Sequence, residues 1–176
     1  MWTDKYPTIK TADRAGFINI ATKLLKDVPD QTYRAYILAT IKHECADTWR
    51  PLREYGSDQY LSKYDYDRPL GKQLGNTQPG DGKLFAGKGY VMITGRANYE
   101  RIGKFLGIDL VNKPELACDP ANAYRIIVYG MSNGLFTNRR LSQYQGDYFN
   151  MRRIINGIDQ AARIAGYAED FEKRGC

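Results

Sequence analysis

The amino-acid sequence predicts a mainly α-helical single domain over residues 1–176, with one long irregular segment and at most a small β element. Three observations predict it. Apolar residues recur at helical spacing towards both ends of the chain. That pattern dissolves between Pro51 and Gly89. A length of 176 residues suits one core and would cramp two full-sized domains. With 43% hydrophobic and 26% charged residues, the composition excludes a chain that is mainly disordered. No apolar run approaches the ~18 residues of a membrane span. The longest, such as Ile126 to Val128, are broken by Tyr129 and Gly130.

Phe17, Ile20, Ala21, Leu24, Leu25 and Val28 mark a first amphipathic helix, with Thr11 as its expected N-cap and Pro29 just beyond its end. A second opens near Asp30 or Thr32, carries Tyr33, Ile37, Ile41 and Glu44 along one stripe, and must stop by the residue before Pro51. From Pro51 to Gly89 the chain is rich in Gly, Pro, Asn, Asp, Ser and Tyr, and a loop of that length in a compact domain is usually functional. Tyr90 to Ile93 reads as a short strand, followed by a helix with Tyr99, Ile102, Phe105 and Leu106 on one face. Asp119 and Pro120 read as N-cap and first position of the next helix, through Ala123, Ile126 and Ile127. Two more patterns run from Leu141 to Ile155, by way of Tyr144, Tyr148 and Met151, and from Asp159 to Phe171, by way of Ile164 and Ala168. There is no internal repeat.

Lys and Arg number 26 against 20 Asp and Glu, a net charge of +6 that favours a polyanionic partner: nucleic acid, an anionic envelope or an acidic wall polymer. Cys45, Cys118 and Cys176 are odd in number without paired spacing, which reads as reduced thiols in a reducing cytoplasm. The stretch from Met1 to Pro7 lacks the apolar core of a secretory signal, so the chain is expected to stay where it is synthesised unless something releases it.

Glu44 is the first residue with a chemical reading. It follows Ile37 by seven positions and Ile41 by three, so an ideal helix turns its carboxylate towards the core side. Desolvation there would raise its pKa, as a general acid requires, whereas a solvated or salt-bridged side chain is the alternative. Glu54 lies ten residues on, beyond Pro51. On one straight helix the two would stand about 15 Å apart. A chain folding back at Pro51 would allow the roughly 6.5–9.5 Å of an inverting glycoside hydrolase. Alternatively Glu54 pairs with Arg50 or Arg53, and Asp58, Asp65 or Asp67 remain rival second carboxylates.

His43 is the only histidine. With Asp at position 47, His43 and Glu44 cannot open an H-E-x-x-H zinc motif, and no His/Cys cluster remains to hold a metal. The segment from Gly82 to Gly89 imitates a phosphate-binding loop until its last position, where Gly89 replaces the required Ser or Thr. Its glycines instead allow a close approach of backbone or a tight turn. Tyr55, Tyr60, Tyr64, Tyr66 and Tyr90, among 14 tyrosines, offer flat amphipathic rings suited to sugars or to stacking on single-stranded nucleic acid.

Five blocks then combine: His43-Glu44 at a helix end, Leu52-Arg53-Glu54, the run from Leu74 to Gly82, the run from Phe85 to Gly95, and Asn98-Tyr99. In order and spacing they resemble glycoside hydrolase family 19 in its phage endolysin branch. The likeness continues through the run from Leu106 to Leu110, Pro114-Glu115-Leu116, and Ile154-Ile155-Asn156-Gly157, covering most of residues 33 to 160.

The resemblance implies a lysozyme-like domain without a separate wall-binding module. It would hydrolyse β-1,4 bonds of peptidoglycan with inversion and so lyse the host cell. It makes Glu44 the general acid and Glu54 the general base, gives Thr94 a part in positioning the water, and sets Tyr90, Asn98 and Asn156 among the substrate-binding residues. It implies no metal or organic cofactor and no nucleic-acid partner. A monomer is expected, held in the host cytoplasm until a separate holin-like protein releases it to the glycan strands at an anionic envelope. The family usually has Arg-Gly-Arg-Gly and then Gln where this chain has Ala86-Gly87-Lys88-Gly89 and Met92, so sugar contacts there must differ. The alternatives are a chitinase acting on N-acetylglucosamine polymers and a non-catalytic binder of glycan or nucleic acid.

Overall fold

The computed structural model describes residues 9–176; the stretch from Met1 to Pro7, read above for a leader, lies outside the described residues. In chain order the helices are α1 (Arg14–Asp27), α2 (Gln31–Glu44), α3 (Asp58–Leu61), α4 (Pro69–Gln73), α5 (Asp81–Leu84), α6 (Arg96–Leu106), α7 (Pro120–Asn133), α8 (Tyr148–Met151) and α9 (Ala161–Lys173). Strands β1 (Leu52–Arg53) and β2 (Lys88–Gly89) pair antiparallel, with Leu52 opposite Gly89 and Arg53 opposite Lys88. The architecture is mainly α, as expected, and the Pro51 to Gly89 segment holds only one-turn helices between the two short strands. Among the described residues no helix is long and apolar enough to cross a membrane. Two compact units are distinguishable, one from the segments up to Arg50 and Val128–Cys176, the other Pro51–Ile127.

The first unit is built on α2. Asp30 caps it, accepting a hydrogen bond from the Tyr33 amide at 3.0 Å, and every residue from Ala35 to Ile41 is buried. Helix α9 packs along α2. Phe17 from α1, Trp49 and Phe171 from α9 form an aromatic knot with ring centroids 4.8 to 6.2 Å apart. Gly16 lets the Trp49 backbone in, since a Cβ there would meet the Trp49 carbonyl oxygen at 2.7 Å. Helix α2 ends at Glu44, well before Pro51, because Ala46, Asp47 and Trp49 take positive φ (47°, 64° and 55°).

Several sequence expectations need correction. Thr11 is not an N-cap: it opens a 3-10 turn, Thr11–Asp13, so the chain is already coiled before α1 begins. The pattern from Leu141 to Ile155 is not one helix. Gly146 at φ 76° breaks it into a 3-10 turn Leu141–Gln143, then α8 capped by Asp147, then a 3-10 turn Arg152–Ile154. The strand expected at Tyr90 to Ile93 sits earlier, at Lys88–Gly89. Gly89 (φ 89°) and Met92 (φ 50°) wrap the following residues into a turn, and only Ile93 returns to bridge Lys88. Phe105, placed on the core face of α6, is 49% exposed.

In the second unit, buried polar contacts take over from periodic packing. Asp81 is 2% exposed, and its carboxylate accepts from the Thr77 and Gln78 amides (2.8 and 3.0 Å) and from the Arg96 guanidinium at 2.6 and 2.8 Å. Asn76 donates to the Tyr64 carbonyl (2.6 Å) and accepts from the Arg96 amide (2.7 Å). The Gly82 amide donates to Asp65 at 3.0 Å. Phe85 and Tyr99 meet at 5.1 Å over this network. Asp119 accepts from the Ala121 and Asn122 amides, both at 3.0 Å, opening α7 at Pro120 as the sequence predicts.

Candidate active site

Glu44 closes α2, with its side chain 18% exposed. Its Oε1 accepts from the Arg152 guanidinium at 2.6 Å, so of the two settings the sequence allowed, the salt-bridged one is present and not an unpaired desolvated carboxyl; Arg152, 4% exposed, also donates through Nε to the Asp159 carbonyl at 2.9 Å. Arg152 reaches Glu44 because the short helical run from Tyr148 turns it inwards one turn further on. Tyr36, Thr40 and Glu44 recur every four residues on α2. The hydroxyls of Tyr36 and Thr40 are buried, with no partner beyond each other among the described residues. Burial pushes the Tyr36 phenol well above its ordinary value, and burial together with the Glu44 charge pushes the Cys45 thiol up to about 12. Cys45 is therefore a protonated packing residue at neutral pH. Asn156 is exposed, its amide donating to the Arg152 carbonyl at 2.9 Å.

In the other unit Glu54 follows β1 directly, and its amide extends the ribbon by donating to the Gly87 carbonyl at 2.7 Å. Its carboxylate collects donors on both oxygens. Oε1 accepts from Tyr60 and Tyr64 hydroxyls at 3.1 and 3.0 Å, and Oε2 from the Gly87 amide at 3.1 Å. Lys63 stands 3.8 Å from Oε1 with its ammonium 3.5 Å from the Tyr60 ring centroid and 4.6 Å from that of Tyr64. Burial, assisted by the Glu54 bond and opposed by Lys63, raises the Tyr64 phenol, so it remains a donor. Gly87 must be small: a Cβ there would lie 3.1 Å from Glu54 Oε2 and from the Met92 methyl.

Neither arginine considered as a partner for Glu54 takes that part: Arg53 pairs with Glu115 at 3.1 Å, and Arg50 donates to the Ala12 carbonyl at 3.4 Å. The three rival carboxylates are engaged elsewhere, Asp58 with Lys83 at 2.7 Å, Asp65 with the Gly82 amide and Asp67 with Arg68 at 3.8 Å. Thr94 donates to the Met92 carbonyl at 2.9 Å, and Asn98 donates to the Thr94 carbonyl at 2.7 Å. Asn98, in the first turn of α6, thus fastens to Thr94 at the end of the chain reversal after β2. Tyr90 is 3% exposed, nearly enclosed. Among the described residues, no three His, Cys, Asp or Glu side chains gather closely enough to hold a metal ion.

This mainly helical frame is matched among solved structures by chitinase C from Streptomyces griseus HUT6037, at a TM-score of 0.51 and 18% identity, over 93% of this chain and 90% of that one. The chain has a chitinase C-like fold. Also similar are a chitinase C mutant (TM-score 0.48, 17% identity, 93% and 90% coverage) and a bacterial family 19 chitinase (TM-score 0.40, 19% identity, 94% and 91%). No family model matches the sequence, and no curated protein matches it.

Sequence reasoning missed Arg152 and the hold of Tyr60 and Tyr64 on Glu54, having weighed these rings only as platforms for sugars or single-stranded nucleic acid. A signal for Arg152 exists. It stands four residues after Tyr148 on an apolar stripe, where a guanidinium needs a buried acceptor. The tyrosines carry no such signal, because one-turn helices leave no period to read.

Proposed function

We propose that this protein is a glycoside hydrolase that cleaves β-1,4 bonds between amino sugars with inversion, Glu44 protonating the glycosidic oxygen and Glu54 taking the proton of the attacking water. The observation that carries the reading is the setting of Glu54: an acceptor held by three donors beside a two-stranded ribbon, as suits a residue that must receive a proton in one fixed direction. Thr94 helps position the water. Asn98 and Asn156 contact sugar, and Tyr90 shapes the sugar site from its enclosed position.

The substrate we favour is peptidoglycan, cleaved as by a phage-type endolysin. The net charge of +6 suits an anionic envelope. In that role the protein works as a monomer, without cofactor, on glycan strands reached after a holin-like partner opens the way to the periplasm. Chitin is the second reading, favoured by the fold shared with chitinase C.

Digestion of purified sacculi and of chitin oligomers, with products identified by mass spectrometry, tests both. Cut muropeptides support the first reading and chitin fragments alone the second. No cleavage of either rejects the hydrolase.

A further inference from the structure

Lys88 is the one lysine among the described residues that is fully buried, 1% exposed, and it forms no ion pair with a described carboxylate: the nearby Glu115 and Glu54 pair with Arg53 and Lys63. Its ammonium instead donates to the Leu84 carbonyl at 2.8 Å and reaches the Ala86 carbonyl at 3.4 Å, with the Tyr99 ring centroid at 5.5 Å. The Tyr99 hydroxyl donates to the same Ala86 carbonyl at 2.9 Å. That oxygen belongs to the peptide unit whose N–H is the Gly87 amide. A trans peptide is planar, so its C=O and N–H point in opposite directions and turn together. Whatever holds the Ala86 oxygen therefore aims the Gly87 hydrogen, and the Gly87 hydrogen meets Glu54 Oε2 at a donor–acceptor distance of 3.1 Å.

We infer that Lys88 and Tyr99 are positioning residues that act through the Ala86–Gly87 peptide plane to orient the Glu54 carboxylate. As a catalytic statement this rests on Glu54 being the general base. A charge buried only for packing would be dispensable, since an apolar side chain of similar length fills the same space without desolvation. Here the ammonium and the phenol grip one oxygen from the side away from Glu54, and β1 paired with β2 keeps the rest of the ribbon in register. Loss of either grip frees the plane to rock and the carboxylate to swing.

The test uses Lys88→Met, Lys88→Arg and Tyr99→Phe in the full chain, with two readouts. The first is the Gly87 amide proton in 15N-resolved NMR, which a bond to a carboxylate moves downfield and protects from exchange. In Lys88→Met and in Tyr99→Phe it is expected to move upfield and exchange faster, and in Lys88→Arg to stay near the wild-type position. The second is hydrolysis of a soluble glycan oligomer. There kcat is expected to fall about tenfold in Lys88→Met, with KM within about twofold, and Lys88→Arg to recover most of it. If Lys88→Met fails to fold, Tyr99→Phe, which removes one oxygen atom, reports on the same plane. A Gly87 amide unchanged in every folded variant overturns the inference. If wild-type protein cuts no glycan while the amide still responds, the positioning stands and the hydrolase reading falls.

Discussion

The Glu44 carboxylate and the Arg152 guanidinium meet at 2.6 Å although 108 positions separate them in the chain. Arg152 is 4% exposed and Glu44 18%, so this is an ion pair largely removed from water. Removing one partner of such a pair strands the other. Arg152→Met is expected to lower the unfolding free energy by about 3 kcal/mol in urea titrations. Glu44→Gln should cost less, because an amide oxygen still accepts from the guanidinium. A reversed order would mean that Arg152 is held mainly by the Asp159 carbonyl.

Glu44→Gln serves the functional reading as well. It is expected to keep the wild-type circular dichroism while losing about 10²–10⁴-fold in glycan cleavage, since an amide cannot protonate a leaving oxygen. Retained turnover in a folded variant would remove Glu44 from the role of acid.

The donors on Glu54 should rank by burial. Tyr64→Phe deletes a bond at 3.0 Å in a half-buried position and is expected to lower kcat about tenfold, the equivalent of about 1.4 kcal/mol. Tyr60→Phe deletes one at 3.1 Å from an exposed ring, and water replaces it at smaller loss. Steady-state kinetics on a soluble oligomer measure both, and equal effects would count against an acceptor fixed mainly from its buried side.

Gly87→Ala tests the closeness of the ribbon. The added Cβ, 3.1 Å from Glu54 Oε2 and from the Met92 methyl, can be accommodated by Met92 but only by displacing the carboxylate. A loss of about 1 kcal/mol in stability with a disproportionate fall in kcat is expected. Thermal melts and kinetics on the same preparation separate the two effects.

Asp81 is expected to contribute to acid stability in the second unit. Burial alone would raise its carboxyl, but the Arg96 guanidinium and the Thr77 and Gln78 amides outweigh that and hold it below its ordinary 3.8. A depressed carboxylate contributes stability above its unfolded pKa, and that contribution drains away as pH falls through the folded value. Wild-type stability should therefore decline from about pH 4 downwards, and Asp81→Asn should be weaker at neutral pH with a flatter acid limb. Urea midpoints across that range decide it, and identical limbs would reject the assignment.

Much of the architecture was legible in the residues. Asp30 and Asp119 announce two helix starts because a short acceptor side chain ahead of an apolar stripe satisfies free amides wherever it occurs. Glu44 stands out by its place on the stripe with Ile37 and Ile41, whereas the neighbours of Glu54 left Asp58, Asp65 and Asp67 equally eligible and only the family resemblance chose it. What failed was local too. Thr11, the Tyr90 to Ile93 strand and the continuous helix from Leu141 each fell to a turn or a positive φ, at Gly89, Met92 and Gly146 in the latter two cases.

The sequence by itself determined most of the stretches that coil and most of the apolar faces, and it nominated Glu44 together with Glu54, Asp58, Asp65 or Asp67 for a chemical role, since all of these follow from residues a few positions apart. Only the tertiary structure decided their company: Arg152 on Glu44, Tyr60, Tyr64 and Gly87 on Glu54, and Arg96 on Asp81. The physical reason is that a buried polar group accepts whichever donor the path of the chain delivers. That path is set by the packing of whole elements, to which a window of one or two helical turns is blind.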